Sequence, residues 1–268
     1  MLVLYVQAPF AAFRTFSAGW YRPTAPFLTP SAAYGLALNV AGIESRRDDG
    51  LSEMTLTQFG LPFVRIAVGA VAEPRVSAHA QDALSNSSET SKLPLPTVHT
   101  LFQQLHNYPV GGTGKERKES TKGNKYNITP VKREFLANLR ACVVLDGNPD
   151  LEQRVREGLT NPAPGRYGIP FLGDNAFLID RLEVREVPPA SHWYCNLGEA
   201  NSPTTLPHST RLTVWIDRQR MSRTQSSLFA PQTKATEEIP SEAWTEIRPP
   251  EAPPSSVEKG ERKKKGTT

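Results

Sequence analysis

Flat rings and permanent cations crowd one short stretch near the start of the chain. "FRTFSAGWYRP" (13–23) carries Arg14, Trp20, Tyr21 and Arg22. A guanidinium offers a planar fork of donors that matches phosphate, and indole and phenol rings offer stacking faces to unpaired bases. A helix start follows in "TPSAAYG" (29–35), with Thr29 fit to cap it and Pro30 fit for its first turn. Backbone N–H groups and a partial positive charge then gather near Ser31. Cations, rings and open donors are what a single-stranded RNA requires of its holder. Ser31 and Tyr34 therefore join the candidate RNA contacts, although Tyr34 fits a core equally well. Phe10, Phe13 and Phe16 read as core, and Arg65 suits either RNA or a salt bridge.

A second group of cations lies between 111 and 133, in "GGTGKERKESTKGNKYNITPVKR". Lys115, Arg117, Lys118, Lys122, Lys125, Lys132 and Arg133 alternate with glycine and polar residues. Cations on a pliable arm can follow a phosphate backbone and release its counterions; a solvated loop is the plainer alternative. "GGTGKE" does not make a P-loop, because Pro109 stands where the first glycine is needed and Glu116 where Ser or Thr is needed. Acid–base chemistry on a 2′-hydroxyl has candidates in His106, Tyr108 and Lys115, close together in the same insertion. Cys142 and Cys195 lack metal-ligand spacing and read as reduced thiols. No cofactor motif and no metal site is expected.

These residues need a scaffold, and the 268-residue chain with 38% hydrophobic residues is large enough for one domain with a packed core. Its net charge of +4 says little by itself; clustering matters more. No apolar run of about 18 residues exists, and no basic segment precedes an apolar one at the start, so neither a membrane span nor a secretory signal is expected. The cytoplasm is the expected compartment.

Strands are expected at 1–7, 61–72, 140–145, 176–187 and 209–218, and helices at 30–44 and 149–160. Residues 8–28 read as a loop, 132–139 as a short helical turn, and Asp150, Glu152 and Arg154 as the polar face of the second helix. Residues 73–130 read as an insertion, a long β-hairpin or thumb. The Pro-, Glu- and Lys-rich segment 231–268 reads as a disordered tail. Strand, helix, strand, insertion, strand, helix, strand, strand approaches the β-α-β-β-α-β plan. The expected class is α+β: a ferredoxin-like, RRM-like domain over 1–230.

The opening residues carry a resemblance. Ala8, Pro9, Phe10, Ala11, Phe13 and Arg14, followed by Pro30, Ser31, Ala32, Tyr34 and Gly35, are similar to paired motifs at the start of the CRISPR-associated Cas-five family, in the RAMP superfamily of RNA-binding proteins. "KREFLANLRACVVL" (132–145) and "GIPFLGDNAF" (168–177) resemble later elements of that family, and the wording of 1–45 resembles its DevS-like branch. One departure is that Asp174 and Asn175 follow Gly173 where related loops carry Lys or Arg; Arg166 and Arg181 flank the loop instead. The resemblance implies a non-catalytic subunit of a type I Cascade effector complex, serving antiviral defence or another DNA-targeting task. Such a subunit binds the 5′ handle of the crRNA, caps the backbone-subunit filament, docks the large subunit and meets target DNA only indirectly. Metal-independent cleavage of precursor crRNA, known in one subtype, is the alternative that His106, Tyr108 and Lys115 would serve. Arg166 joins the implied RNA contacts.

Overall fold

The computed structural model describes residues 1–15, 21–48, 50, 56–72, 93–106, 128–162, 166, 168–198, 206–218 and 221–249, with the side chains of 104–106, 128–130 and 221 outside that set. Chain order runs β1 (Leu2–Ala11), β2 (Tyr21–Arg22), α1 (Pro30–Val40), β3 (Arg46–Arg47), β4 (Leu56–Thr57), β5 (Val64–Val71), β6 (Thr97–His106) and β7 (Ile128–Asp146). It continues through α2 (Pro149–Thr160), β8 (Arg181–Arg185), β9 (Ser191–Asn196), β10 (Thr210–Trp215), β11 (Gln225–Pro231) and β12 (Thr245–Ile247).

Alternation in β1 decides which way the sheet faces. Leu2, Leu4, Val6 and Ala8 are buried in the main core with both helices, while Val3 joins a smaller core on the opposite face. β1 lies between β7 and β8, and β5 flanks β7, all antiparallel. The four strands therefore stand in the order β5, β7, β1, β8. The free edge of β5 is shared by β9 and β12, and β11 and β10 extend the sheet beyond β9. The class is α+β: a mainly antiparallel sheet with two helices over one face.

Local chemistry fixes the helices. Thr29 Oγ1 accepts from the Ala32 amide at 3.2 Å, with Pro30 in the first turn. Asn148 Oδ1 accepts from Leu151 N at 2.9 Å, and its Nδ2 donates to Phe63 O, tying the start of α2 to β5. Ala33, Ala37 and Ala41 are buried, as small residues must be where a helix lies close on a sheet. α2 crosses α1 at Gly158, where an added Cβ would sit 2.0 Å from the Val40 carbonyl oxygen.

β7 has a reversal. Leu136 and Leu139 are both fully buried although three residues apart, and the residue between them and the upper strand, Asn138, has φ 62°. A left-handed residue turns the strand over, so the odd–even rule restarts on the other side of it. By register Asn138 stands opposite Pro9, and this is the one level where β1 and β7 make no ladder pair. Below it β7 pairs with β6 as a hairpin running from Thr97↔Ala137 to His106↔Ile128.

Several expectations change. β1 runs through residues expected as loop. The 132–139 segment is strand, not a helical turn; its three-residue leucine spacing comes from Asn138. Glu152 does not lie on a polar face: it is 8% exposed and accepts from the Met1 amine at 2.6 Å. The strand expected at 176–187 is confined to Arg181–Arg185, and 210–215 is not the last strand. Residues 231–249 are not a disordered tail. Ala243 and Ile247 are buried, β12 pairs with β5, and Trp193 Nε1 donates to Thr236 O at 2.9 Å. Apolar residues too sparse for a core of their own complete one that the sheet already offers. Residues 250–268 lie outside the described set, as do 73–92 and 107–127 of the insertion.

Both cysteines are free thiols; burial in the smaller core pushes Cys142 up to about 12. Among the described residues no helix is long and apolar enough to cross a membrane. None of the described residues forms a cluster of three or more His, Cys, Asp or Glu suited to a metal.

Candidate nucleic-acid interface

The end of β1, the start of α1 and the 169–173 loop meet around one open groove of about 360 Å³. Arg14, Thr29, Ser31 and Arg46 supply its polar rim, and Ile169, Phe171, Leu36 and Ile43 its apolar walls. Backbone bonds hold the three segments together. Ala12 N donates to Leu172 O at 3.0 Å, and Ala25 N to Phe13 O at 2.8 Å. Thr24 Oγ1 accepts from Phe13 N, so the ends of the aromatic–basic loop are pinned beside each other. Gly173 is required here. Its φ is +85°, and a Cβ would lie 1.6 Å from the Ala12 oxygen. Ile169 and Phe171 remain 67% and 49% exposed, an apolar surface beside an arginine. Such a groove can take a flat ring against its walls and a phosphate at its rim.

Arg14 and Arg22 are exposed and pair with no carboxylate among the described residues. Arg46 is held by Glu44 through two bonds of 2.9 Å, and the hydrogen bond from Arg46 is the main reason the Glu44 carboxyl lies below its usual range. Ser31 Oγ lies 3.1 Å from Thr29 Oγ1, within the helix cap. The Arg166 guanidinium donates to Gly168 O at 3.2 Å at the mouth of the same loop.

A second group surrounds β2, which adds to β7 in parallel. The Tyr21 hydroxyl donates to Glu134, whose other oxygen accepts from Thr24 N at 3.2 Å. That hydrogen bond, chiefly, raises the Tyr21 pKa and keeps the hydroxyl a donor. Lys132 Nζ lies 5.0 Å above the Tyr21 ring. Arg133, on the other face, pairs with Asp174 at 2.6 Å and lies 6.0 Å from the Phe177 ring. Phe10, Phe135 and Phe177 pack together beneath it, with His99 stacked on Phe135 at 5.6 Å.

The expected residues thus fall into two sets. Arg14 and Ser31 line the groove and Arg166 bonds Gly168 just before its 169–173 loop, while Tyr21, Arg22, Lys132 and Arg133 gather where β2 joins β7. Tyr34 belongs to neither: it is 3% exposed, donates to Pro62 O at 2.8 Å and packs on Trp215, which makes it core. Burial raises its pKa. Arg65 pairs with Asp146 and lies 5.3 Å from the Trp244 ring, so the salt bridge expected as one of its alternatives is present. Trp20, Tyr108, Lys115, Arg117, Lys118, Lys122 and Lys125 lie outside the described residues; His106 ends β6, with its side chain outside them too.

A family model described as "CRISPR-associated protein (Cas_Cas5)" matches residues 1–244. The chain belongs to that family. Two solved structures are similar to this Cas5-family chain. One is titled "CRISPR RNA-guided surveillance complex", with TM-score 0.49, 16% identity and coverage of 87% of this chain and 90% of that one. The other is titled "Crystal structure of Cas protein", with TM-score 0.36, 15% identity and coverage of 89% and 99%. Likeness at that level adds no argument, so membership rests on the family match. No curated protein matches the chain.

Sequence reasoning missed Phe102 as a residue of these surfaces, and it met Phe171 and Asp174 only as parts of the 168–177 motif. Phe102 had a signal: "TVHTLFQQL" (97–105) carries no charge inside an otherwise charged insertion.

Proposed function

We propose that this chain is the subunit of a type I RNA-guided, DNA-targeting effector complex that holds the 5′ handle of the crRNA. The observation that carries the reading is the shared groove. The neighbouring segments of Arg14 and Ser31 and the distant one of Gly173 converge on one concave surface with an arginine rim and apolar walls. Family membership over 1–244 is consistent with it. The strand order β5, β7, β1, β8 with both helices on one face supports a ferredoxin-like RAMP domain, and the resemblance of residues 1–45 supports its DevS-like branch. Arg14 and Arg22 pair with phosphates, the groove walls receive a base, and the N–H groups at the start of α1 face the strand's anionic backbone.

In this reading the chain acts by binding. The hairpin of β6 and β7 is the thumb, 231–249 belongs to the domain, the backbone and large subunits are its protein partners, and the complex works in a prokaryotic cytoplasm. Purification of the full chain co-expressed with its backbone subunit and a repeat-bearing transcript tests it. A co-purified short RNA with one fixed 5′ end, lost when Arg14 and Arg22 are changed to Ala, is the expected result. RNA of random ends, or none, overturns it.

A further inference from the structure

Across the hairpin, three side chains stand in one row on one face. Register sets Tyr21 of β2 and Phe102 of β6 on either side of Lys132 of β7. Adjacent strands lie about 4.8 Å apart, so ring, cation and ring span roughly 10 Å. Phe102 is 74% exposed and Tyr21 36%. A single exposed phenylalanine is ordinary; one beside a lysine that faces a second exposed ring is a patterned surface. The Tyr21 ring is held by Glu134, and Lys132 by the Tyr21 ring, so little freedom remains to be lost on binding. Ring and cation side by side match the two parts of a nucleotide, the ring its base and Lys132 its phosphate.

We propose that this row is a stacking site for an unpaired base of single-stranded RNA. Phe102 takes the base on its open ring, Lys132 pairs with the neighbouring phosphate, and Tyr21 positions the lysine. The site rests on the RNA-binding function proposed above but is built from residues that do not line the groove.

The test is fluorescence anisotropy of the full chain with a short single-stranded RNA and with its abasic counterpart, across a salt series. Phe102→Ala weakens the base-bearing RNA about tenfold, leaves the abasic strand unchanged and keeps the salt slope. Phe102→Trp restores affinity and Phe102→Leu does not, because stacking needs a flat ring. Lys132→Met flattens the slope by about 0.7. Phe102 lies outside the core, so thermal unfolding of its variants stays at the wild-type value. Equal loss on both strands, no loss on either, or rescue by Leu as good as by Trp overturns the site, the last pointing to an apolar contact that needs no flat ring. Wild-type protein that binds neither strand overturns the proposed function and this site together. Wild-type binding with an unaffected Phe102→Ala variant overturns the site alone.

Discussion

Asp174 gives Arg133 an anion of its own. The pair is 2.6 Å apart and about four-fifths buried, at the surface where cations should meet phosphate. An incoming strand has to displace that carboxylate before it gains the arginine. The Ala176 amide, first, and then Arg133 hold the Asp174 carboxyl below its ordinary 3.8. Because that pKa is depressed in the fold, the pair stabilises above about 3.8 and the benefit is lost as pH falls through the lower folded value. Asp174→Asn keeps the acceptor for Ala176 and removes the charge. We expect RNA affinity to rise several-fold and the log–log salt slope to steepen by about 0.7, one phosphate gained. Thermal stability should change by less than about 1 kcal/mol, since partly exposed pairs contribute little. An unchanged slope in a salt titration of this variant would show that Arg133 gains no phosphate.

At the scale of elements, Gly158 offers a reversal of sign. In a free helix Gly→Ala stabilises by about 1 kcal/mol. Here the new methyl would meet the Val40 carbonyl at 2.0 Å, so the two helices must part. Gly158→Ala is expected to destabilise by about 2–4 kcal/mol, read as a lowered midpoint in urea unfolding. A midpoint at or above wild type would mean that α1 and α2 do not pack this closely. Elements were legible in the sequence where capping and period agree, as at Thr29-Pro30. They were not legible where one residue resets the period. Leu136 and Leu139 imitate a helical spacing because Asn138 inverts the strand between them. The groove was legible in part: Arg14 and Ser31 came from the opening motifs, but the contribution of Phe171 depends on long-range docking of the 169–173 loop on Ala12. Tyr34 was left between RNA contact and core for the same reason, since nothing local reveals that its hydroxyl reaches Pro62.

The whole molecule extends further along the chain than composition indicates. Residues 231–249 hold too few apolar side chains to fold alone, yet Ala243 closes over Trp193 and Ile247 fills the main core beside β5. Truncation separates the two views. A chain ending at 249 should unfold with the wild-type midpoint, and one ending at 230 should lose several degrees or more, or fail to fold, as Trp193 and the β5 edge are uncovered. Equal midpoints would return 231–249 to the status of a tail.

β7 runs from the hairpin into the centre of the sheet as one 19-residue strand. At Asn138 it exchanges faces without a break in chain direction. The arm and the body are thus one beam with a half-twist. A load applied at the arm, by a bound strand or a neighbouring subunit, is delivered straight to the middle of the body, with no joint at which it could be absorbed.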